Sequence, residues 1–174
     1  MGLFSPTFET LRDLYLNEVR DLYSAETQLL EALPKMAAAA NSSQLKKAFT
    51  SHLEQTEGHV RRLEEIFEAL GEEPSGETCK AMEGLIKEGE EYVKAGGNRD
   101  VRDAGLIGAA QRVEHYEIAG YGTARTLASR LGESEAADKL QATLDEEAEA
   151  DSKLTDIAES EVNPEAAASS RAAR

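Results

Sequence analysis

The sequence predicts an all-α fold: an antiparallel four-helix bundle whose long crossover carries a short fifth helix. Three observations lead there. Long stretches rich in Leu, Ala, Glu and Arg, all good helix formers, run between sparse Gly, Asn and Pro breaks. Period-two alternation with β-branched residues, the mark of a strand, is almost absent. Two of the breaks are a few residues long, which makes their flanking helices antiparallel neighbours. The connection between the two hairpins is long enough, about thirty residues, to run the length of a bundle.

The first helical pattern opens after Pro6 at Thr7 and continues through Ala40. Asn41-Ser42-Ser43 breaks it and offers capping side chains to the next segment, about Gln44 to Leu70, which stops at Gly71 with Pro74 beyond. The short helix runs from about Glu77 to Lys94 and ends at Gly96-Gly97-Asn98. The fourth runs from about Asp100 to Leu131, ending at Gly132, and the fifth from about Ser134 to Ser160, ending near Asn163-Pro164. Residues 1–163 are thus read as one bundle domain and 164–174 as a disordered Ala/Ser/Arg tail.

Composition narrows the function. The chain has 174 residues and a formal net charge of −15, which repels nucleic-acid phosphates and anionic membrane surfaces alike. No apolar run approaches the ~20 residues of a membrane span, and the N-terminus lacks the basic start and apolar stretch of a signal peptide. The expectation is a cytoplasmic protein. A single cysteine, Cys79, allows no internal disulfide and no thiolate zinc cage, and reads as a packing residue. There is no glycine-rich phosphate loop and no Gly-x-Ser-x-Gly.

The informative feature is where polar residues interrupt the apolar stripes. Traced at spacings of three and four, the first helix reads Leu22, Glu26, Leu29 and the second Phe49, His52, Thr56, His59, Leu63. The fourth reads Ala110, Glu114, Glu117, Tyr121 and the fifth Leu144, Glu147, Asp151, Leu154. Each stripe is apolar at its ends and polar near its middle. Reflecting Glu26 about the turn near residue 42 lands at 58, beside His59, and reflecting Glu117 about the turn near 133 lands at 149, between Glu147 and Asp151. Five clustered buried carboxylates would cost several kcal/mol each without a counter-charge. Two divalent cations would offset that cost, since carboxylates and imidazoles are their natural ligands. The expected ligands are therefore Glu26, His59, Glu114, Glu117, Glu147 and Asp151. His52, Glu57, Thr56 and Tyr121 stand as supporting or alternative ligands. For His52 the competing reading is a core histidine bonded to a backbone carbonyl, for Thr56 and Tyr121 plain packing, and for Glu26 an ion pair to Arg20. His115 points off the stripe and is expected to be exposed, and Glu54 faces solvent.

Across nearly the whole chain the phrases Tyr23-Ser24-Ala25-Glu26-Thr27-Gln28-Leu29-Leu30, His52-Leu53-Glu54-Gln55-Thr56 with Arg62-Leu63-Glu64, Cys79-Lys80-Ala81-Met82-Glu83-Gly84-Leu85, Val113-Glu114-His115-Tyr116-Glu117 and Glu146-Glu147 with Asp151 resemble the YciF-like stress-associated proteins. That family sits in the ferritin-like superfamily alongside rubrerythrin and bacterioferritin. The resemblance implies a ferritin-like bundle, a stress role and a homodimer; half-apolar positions off the stripes, Leu14, Tyr23 and Leu30, suit a dimer contact. It also implies a Glu-x-x-Glu pair, matched by Glu114 and Glu117, and a Glu followed four residues on by His, here Glu147 and Asp151. The expected Glu-x-x-His reads Thr56-x-x-His59, with Glu57 a possible replacement carboxylate. An oxygen-rich site of this kind admits iron, manganese or zinc. Three functions follow: a di-iron or di-manganese protein that binds or oxidises metal or consumes peroxide, a metal-free dimeric helical scaffold, and a carboxylate-bridged oxygenase. The last is disfavoured because Leu, Phe and Tyr fill the stripes.

Overall fold

In the structure, a computed structural model, residues 7–76 and 78–172 are described, and all of their regular structure is helical. Helix α1 (Leu11–Ala39) begins four residues later than the hydrophobic pattern suggests. The reason is a reciprocal cap: the Asp13 amide donates to Thr10 Oγ1 at 3.1 Å, while the Thr10 amide donates to the Asp13 carboxylate at 2.8 Å. Helix α2 (Ser43–Leu70) is capped by Ser42 Oγ, which accepts from the Leu45 amide. It ends where Gly71 adopts φ of 69°, a left-handed conformation that lets its amide and that of Glu72 close on the last carbonyls.

Helix α3 (Lys80–Lys94) starts inside the expected span; Glu77, its expected start, lies outside the described residues. Helix α4 (Arg99–Leu131) is capped by Asn98, and α5 (Ser134–Ile157) follows after the tight turn at Gly132. One π-helical turn, Ala158–Val162, leads into α6 (Asn163–Ala172). The expected disordered tail is thus corrected through Ala172. Its alanines have the highest helix propensity, Val162 is buried, and Ser169 Oγ donates to Asp100 at 2.6 Å, tying the segment to the start of α4. Residues 173–174 lie outside the described residues.

Interactions at the two ends fix the topology. At one end Arg12 donates to the Leu70 carbonyl and lies 3.7 Å from Glu133. At the other, the amides of Asn41 and Ser42 donate to Asp103. So α1 and α5 run one way and α2 and α4 the other, with α1 packed on α2 and α4, and α5 on α4 and α2. The segment between α2 and α4 must therefore return along the whole bundle, and α3 packs on α1 and α4 as it does so.

The core is divided. One apolar cluster, around Tyr15, Leu22, Leu63, Phe67 and Leu140, fills the Arg12 end; another, around Leu29, Leu33, Leu45, Phe49 and Leu106, fills the Asp103 end. Each such side chain contributes roughly 1.5–3 kcal/mol by leaving water. Between the two clusters lies a belt of buried polar residues. No helix among the described residues is long and apolar enough to cross a membrane.

Candidate metal centre

The belt is built by the stripe positions. Glu26 comes from the middle of α1, His52, Thr56 and His59 from α2, Glu114 and Glu117 from α4, and Glu147 from α5. Glu26, His59, Glu117 and Glu147 are 0% exposed, Glu114 3% and His52 6%. They form two overlapping groups whose ligand atoms lie within 4.8 Å of one another: Glu26, His59 and Glu147, and His52, Glu114, Glu117 and Glu147. Glu147 belongs to both.

The orientation of His59 carries the chemistry. Its Nε2 lies 2.8 Å from Glu146 Oε2, a carboxylate that Arg62 grips from both guanidinium nitrogens at 2.7 and 2.8 Å. That ion pair holds Glu146 ionised, its pKa lowered chiefly by the Arg62 hydrogen bonds, so Nε2 is a donor. Nδ1 then faces inward, 3.2 Å from Glu26 Oε1 and 2.9 Å from Glu147 Oε1. In a neutral imidazole Nδ1 carries a lone pair, and a lone pair facing two carboxylates needs a cation between them. The same need appears as proton affinity. Burial alone would lower the His59 pKa, but the carboxylates of Glu147 and Glu26 outweigh it and push it up to about 10.

The carboxylates show the same unmet demand. Burial first, then repulsion from neighbouring carboxylates, raises Glu114 and Glu117 well above the usual range. Glu26 is also raised, mainly by burial. Glu147 is lowered because the neighbouring His59 and His52 imidazoles outweigh its burial. Both oxygens of Glu117 and of Glu147, with Glu26 Oε2, Glu114 Oε2, His52 Nε2 and His59 Nδ1, are buried without an aligned hydrogen-bond partner. Asp103 is the internal contrast: it is 1% exposed, yet three backbone contacts from Asn41 and Ser42 satisfy it. Among the described residues, the one buried carboxylate outside the belt is thus provided for. A donor set of carboxylates and imidazoles left open on one cavity fits divalent metal ions.

Of the residues expected from the sequence, Glu26, His59, Glu114, Glu117 and Glu147 are brought together. His52 joins them, its Nε2 3.5 Å from both Glu114 and Glu147, rather than bonding a backbone carbonyl. Asp151 is not brought in: it is half-buried, accepts from Gln111 Nε2 at 3.1 Å and lies 3.4 Å from His115. Glu57 is exposed and takes no part. Thr56 is buried in the belt with its hydroxyl unpartnered. Tyr121 donates a short hydrogen bond to Glu26, and Arg20 pairs with Glu72 instead of Glu26. His115 is exposed. Cys79 is buried and caps α3, its sulfur 3.1 Å from the Tyr116 hydroxyl and its pKa raised by burial. Sequence reasoning missed Glu146 and Arg62. The adjacent pair Glu146-Glu147 held a signal, since a carboxylate one step off a ligand stripe can reach the outer nitrogen of a ligating histidine.

Comparison with known proteins agrees with this architecture. Residues 10–167 match the family described as "Domain of unknown function (DUF892)". The chain is 46% identical over 159 residues to the protein YciF of Escherichia coli, covering 91% of this chain and 96% of that one. The crystal structure of that protein, described as a stress protein, superposes with a TM-score of 0.86 over 90% of this chain and 99% of its own. YcfI from Rhodopseudomonas palustris is 43% identical with a TM-score of 0.83, covering 88% of this chain and 98% of that one. A Xanthomonas campestris protein at 20% identity, with 87% and 92% coverage and a TM-score of 0.70, shares the fold.

Proposed function

The chain belongs to the DUF892 family, and from that premise we propose that it is a stress-related protein whose core binds two divalent metal ions. Iron is the preferred metal, with manganese or zinc as substitutes, and the protein binds or oxidises iron or handles peroxide. Glu26, His59 and Glu147 would hold one ion, and His52, Glu114, Glu117 and Glu147 the other. The observation that supports this most is the inward Nδ1 of His59, fixed by Glu146 and set against two carboxylates.

Bound iron would supply one-electron redox chemistry toward dioxygen or peroxide. The protein's own residues do the rest. Arg62 and Glu146 keep the proton of His59 on Nε2, leaving Nδ1 to ligate. Tyr121 holds its phenolic proton against Glu26 Oε1, and burial, with the Glu26 charge, keeps that phenol from ionising. The apolar clusters above and below exclude bulk water.

Elemental analysis of protein purified without chelators tests the reading, with up to two metal ions per chain expected. If no iron, manganese or zinc is retained, and adding them leaves the melting temperature unchanged, the metal reading fails and the scaffold reading replaces it. A homodimer contacting through half-buried Leu14, Tyr23 and Leu30 belongs to the same proposal, and sedimentation at moderate salt tests it.

A further inference from the structure

The two sides of the centre differ in access. On the His59 side the imidazole is 0% exposed and lies behind the Arg62–Glu146 pair, with Arg62 further held by Thr143 Oγ1 at 3.1 Å. On the other side a narrow cleft between α2 and α5 reaches His52 and Glu114 directly. Phe49, Gln55, Ala150 and Lys153 form its walls and mouth. His52 and Glu114 are also the only residues of the two ligand groups with any exposure.

We propose that this cleft is the route by which cations reach the centre, that His52 and Glu114 are the first ligands met, and that Lys153 at the mouth sets the rate of access. The inference rests on the metal-binding reading and adds the path and its gate. The chain's charge of −15 draws cations to its surface in general. Lys153 is exposed and has no ion-pair partner among the described residues, so it places an uncompensated positive charge at the opening. Ala150, one turn before Leu154 and three residues after Glu147, leaves the space that a larger side chain would fill. His52 Nδ1 lies 3.4 Å from Gln55 Oε1, which turns the ring so that Nε2 faces Glu114 and Glu147.

The test is stopped-flow loading of apo-protein with Co²⁺, read as the ligand-field absorption that appears on coordination, with final cobalt per chain measured separately. Ala150→Leu is expected to slow loading tenfold or more without changing the final content. Lys153→Glu, a surface change, is expected to speed loading several-fold at low salt, with the difference vanishing at high salt as the ~8–10 Å screening length shortens. Lys87→Glu, the same charge change on the exposed side of α3 and away from the cleft, is expected to leave the loading rate unchanged. Wild-type rates in both Ala150→Leu and Lys153→Glu, or an equal acceleration in Lys87→Glu, would overturn the route while leaving the metal reading standing. Wild-type protein that takes up no cobalt at equilibrium would sink that reading itself, a result of a different kind. If Ala150→Leu fails to fold, Lys153→Glu and its salt dependence still decide the question.

Discussion

The two halves of the centre use the same ligand types but are built differently. The Glu26–His59 half is wholly buried, and each ligand there is braced from outside: His59 by Glu146, Glu146 by Arg62, and Glu26 by Tyr121. The His52–Glu114–Glu117 half has more carboxylate and less bracing; His52 has a single long contact to Gln55, and Glu117 has no aligned partner on either oxygen. One half is thus fixed in position before an ion arrives, and the other holds charge that only a cation or protons can relieve. The contrast teaches that burial alone does not define a metal site. Bracing favours a particular geometry, whereas unrelieved charge favours binding as such.

Glu147 joins the halves, so its removal has the largest expected effect. Glu147→Ala should reduce bound metal to near zero per chain, while His52→Ala should spare the braced half and retain one ion. Metal analysis after exhaustive dialysis distinguishes them, and equal losses in both variants would break the division. Without metal, Glu147→Ala also removes one of the charges that repel Glu114 and Glu117. It also leaves the His59 imidazole, whose elevated pKa that carboxylate helps sustain, with one partner fewer. The apo-protein melting temperature reports which effect is larger.

Next in size is the brace. Glu146→Ala should weaken metal affinity about 10–100-fold, the usual cost of losing the partner that orients a ligating histidine. Titration against a competing chelator measures it. The loss should be confined to one of the two binding steps, because among the described residues Glu146 bonds to His59 and Arg62 and to no ligand of the other half. An equal loss at both steps would mean that the halves are not independently braced.

Proton binding by the metal-free centre gives a subtler difference. Glu114 and Glu117 are raised by burial and then by neighbouring carboxylates, so the folded chain keeps their protons at pH values where the unfolded chain has lost them. That stability is complete below their ordinary value of 4.5 and fades as pH climbs through the raised values. His59, ordinarily at 6.5 and here about 10, acts in the same direction: its contribution is complete below 6.5 and is lost as pH rises toward 10. Glu146 and Glu147 are shifted downward, so their contributions are lost only below 4.5. The apo-protein should therefore melt at steadily lower temperature from about pH 5 to about pH 9. Saturating divalent metal should flatten or reverse the trend, since ligands must be deprotonated to bind. A flat apo profile would mean that the carboxylates are relieved some other way.

Most of this architecture was legible in the sequence, for a physical reason. Helical spacing and short turns fix both the face and the height of a side chain, which is enough to bring Glu26 to His59 and Glu117 to Glu147. What spacing cannot fix is reach. His52 and His59 sit seven residues apart, about 10 Å along the helix, yet their ring centroids are 6.2 Å apart, so His52 enters a site that its backbone height seemed to deny it. Glu146 lies off the stripe and matters only because the imidazole has a second, outward nitrogen. The low apolar content of the tail suggests disorder, whereas its alanines favour helix and Ser169 docks it on Asp100 of α4, a contact that composition does not reveal.

Asp151 is the counter-example and the smallest expected effect. It follows Glu147 by four residues, which in a straight helix advances the face by about 40°, and on α5 that turn carries it out of the belt. Its carboxylate accepts from Gln111 and lies near exposed His115, at the edge rather than the centre. Asp151→Ala should therefore keep the full metal content and change affinity less than about threefold, well under the loss expected for a ligand or its brace. It removes one partner of Gln111, which retains Thr155 Oγ1 at 2.9 Å, so the cost to stability should stay within about 1 kcal/mol. Metal content and thermal melting of this one variant measure both. Should Asp151→Ala instead lose one ion per chain, the less braced half would have to rearrange on binding so as to draw Asp151 inward. The pattern read from the sequence would then describe the loaded protein better than the ligand groups seen here, and the distinction between a fixed half and an adaptable half would be sharper still.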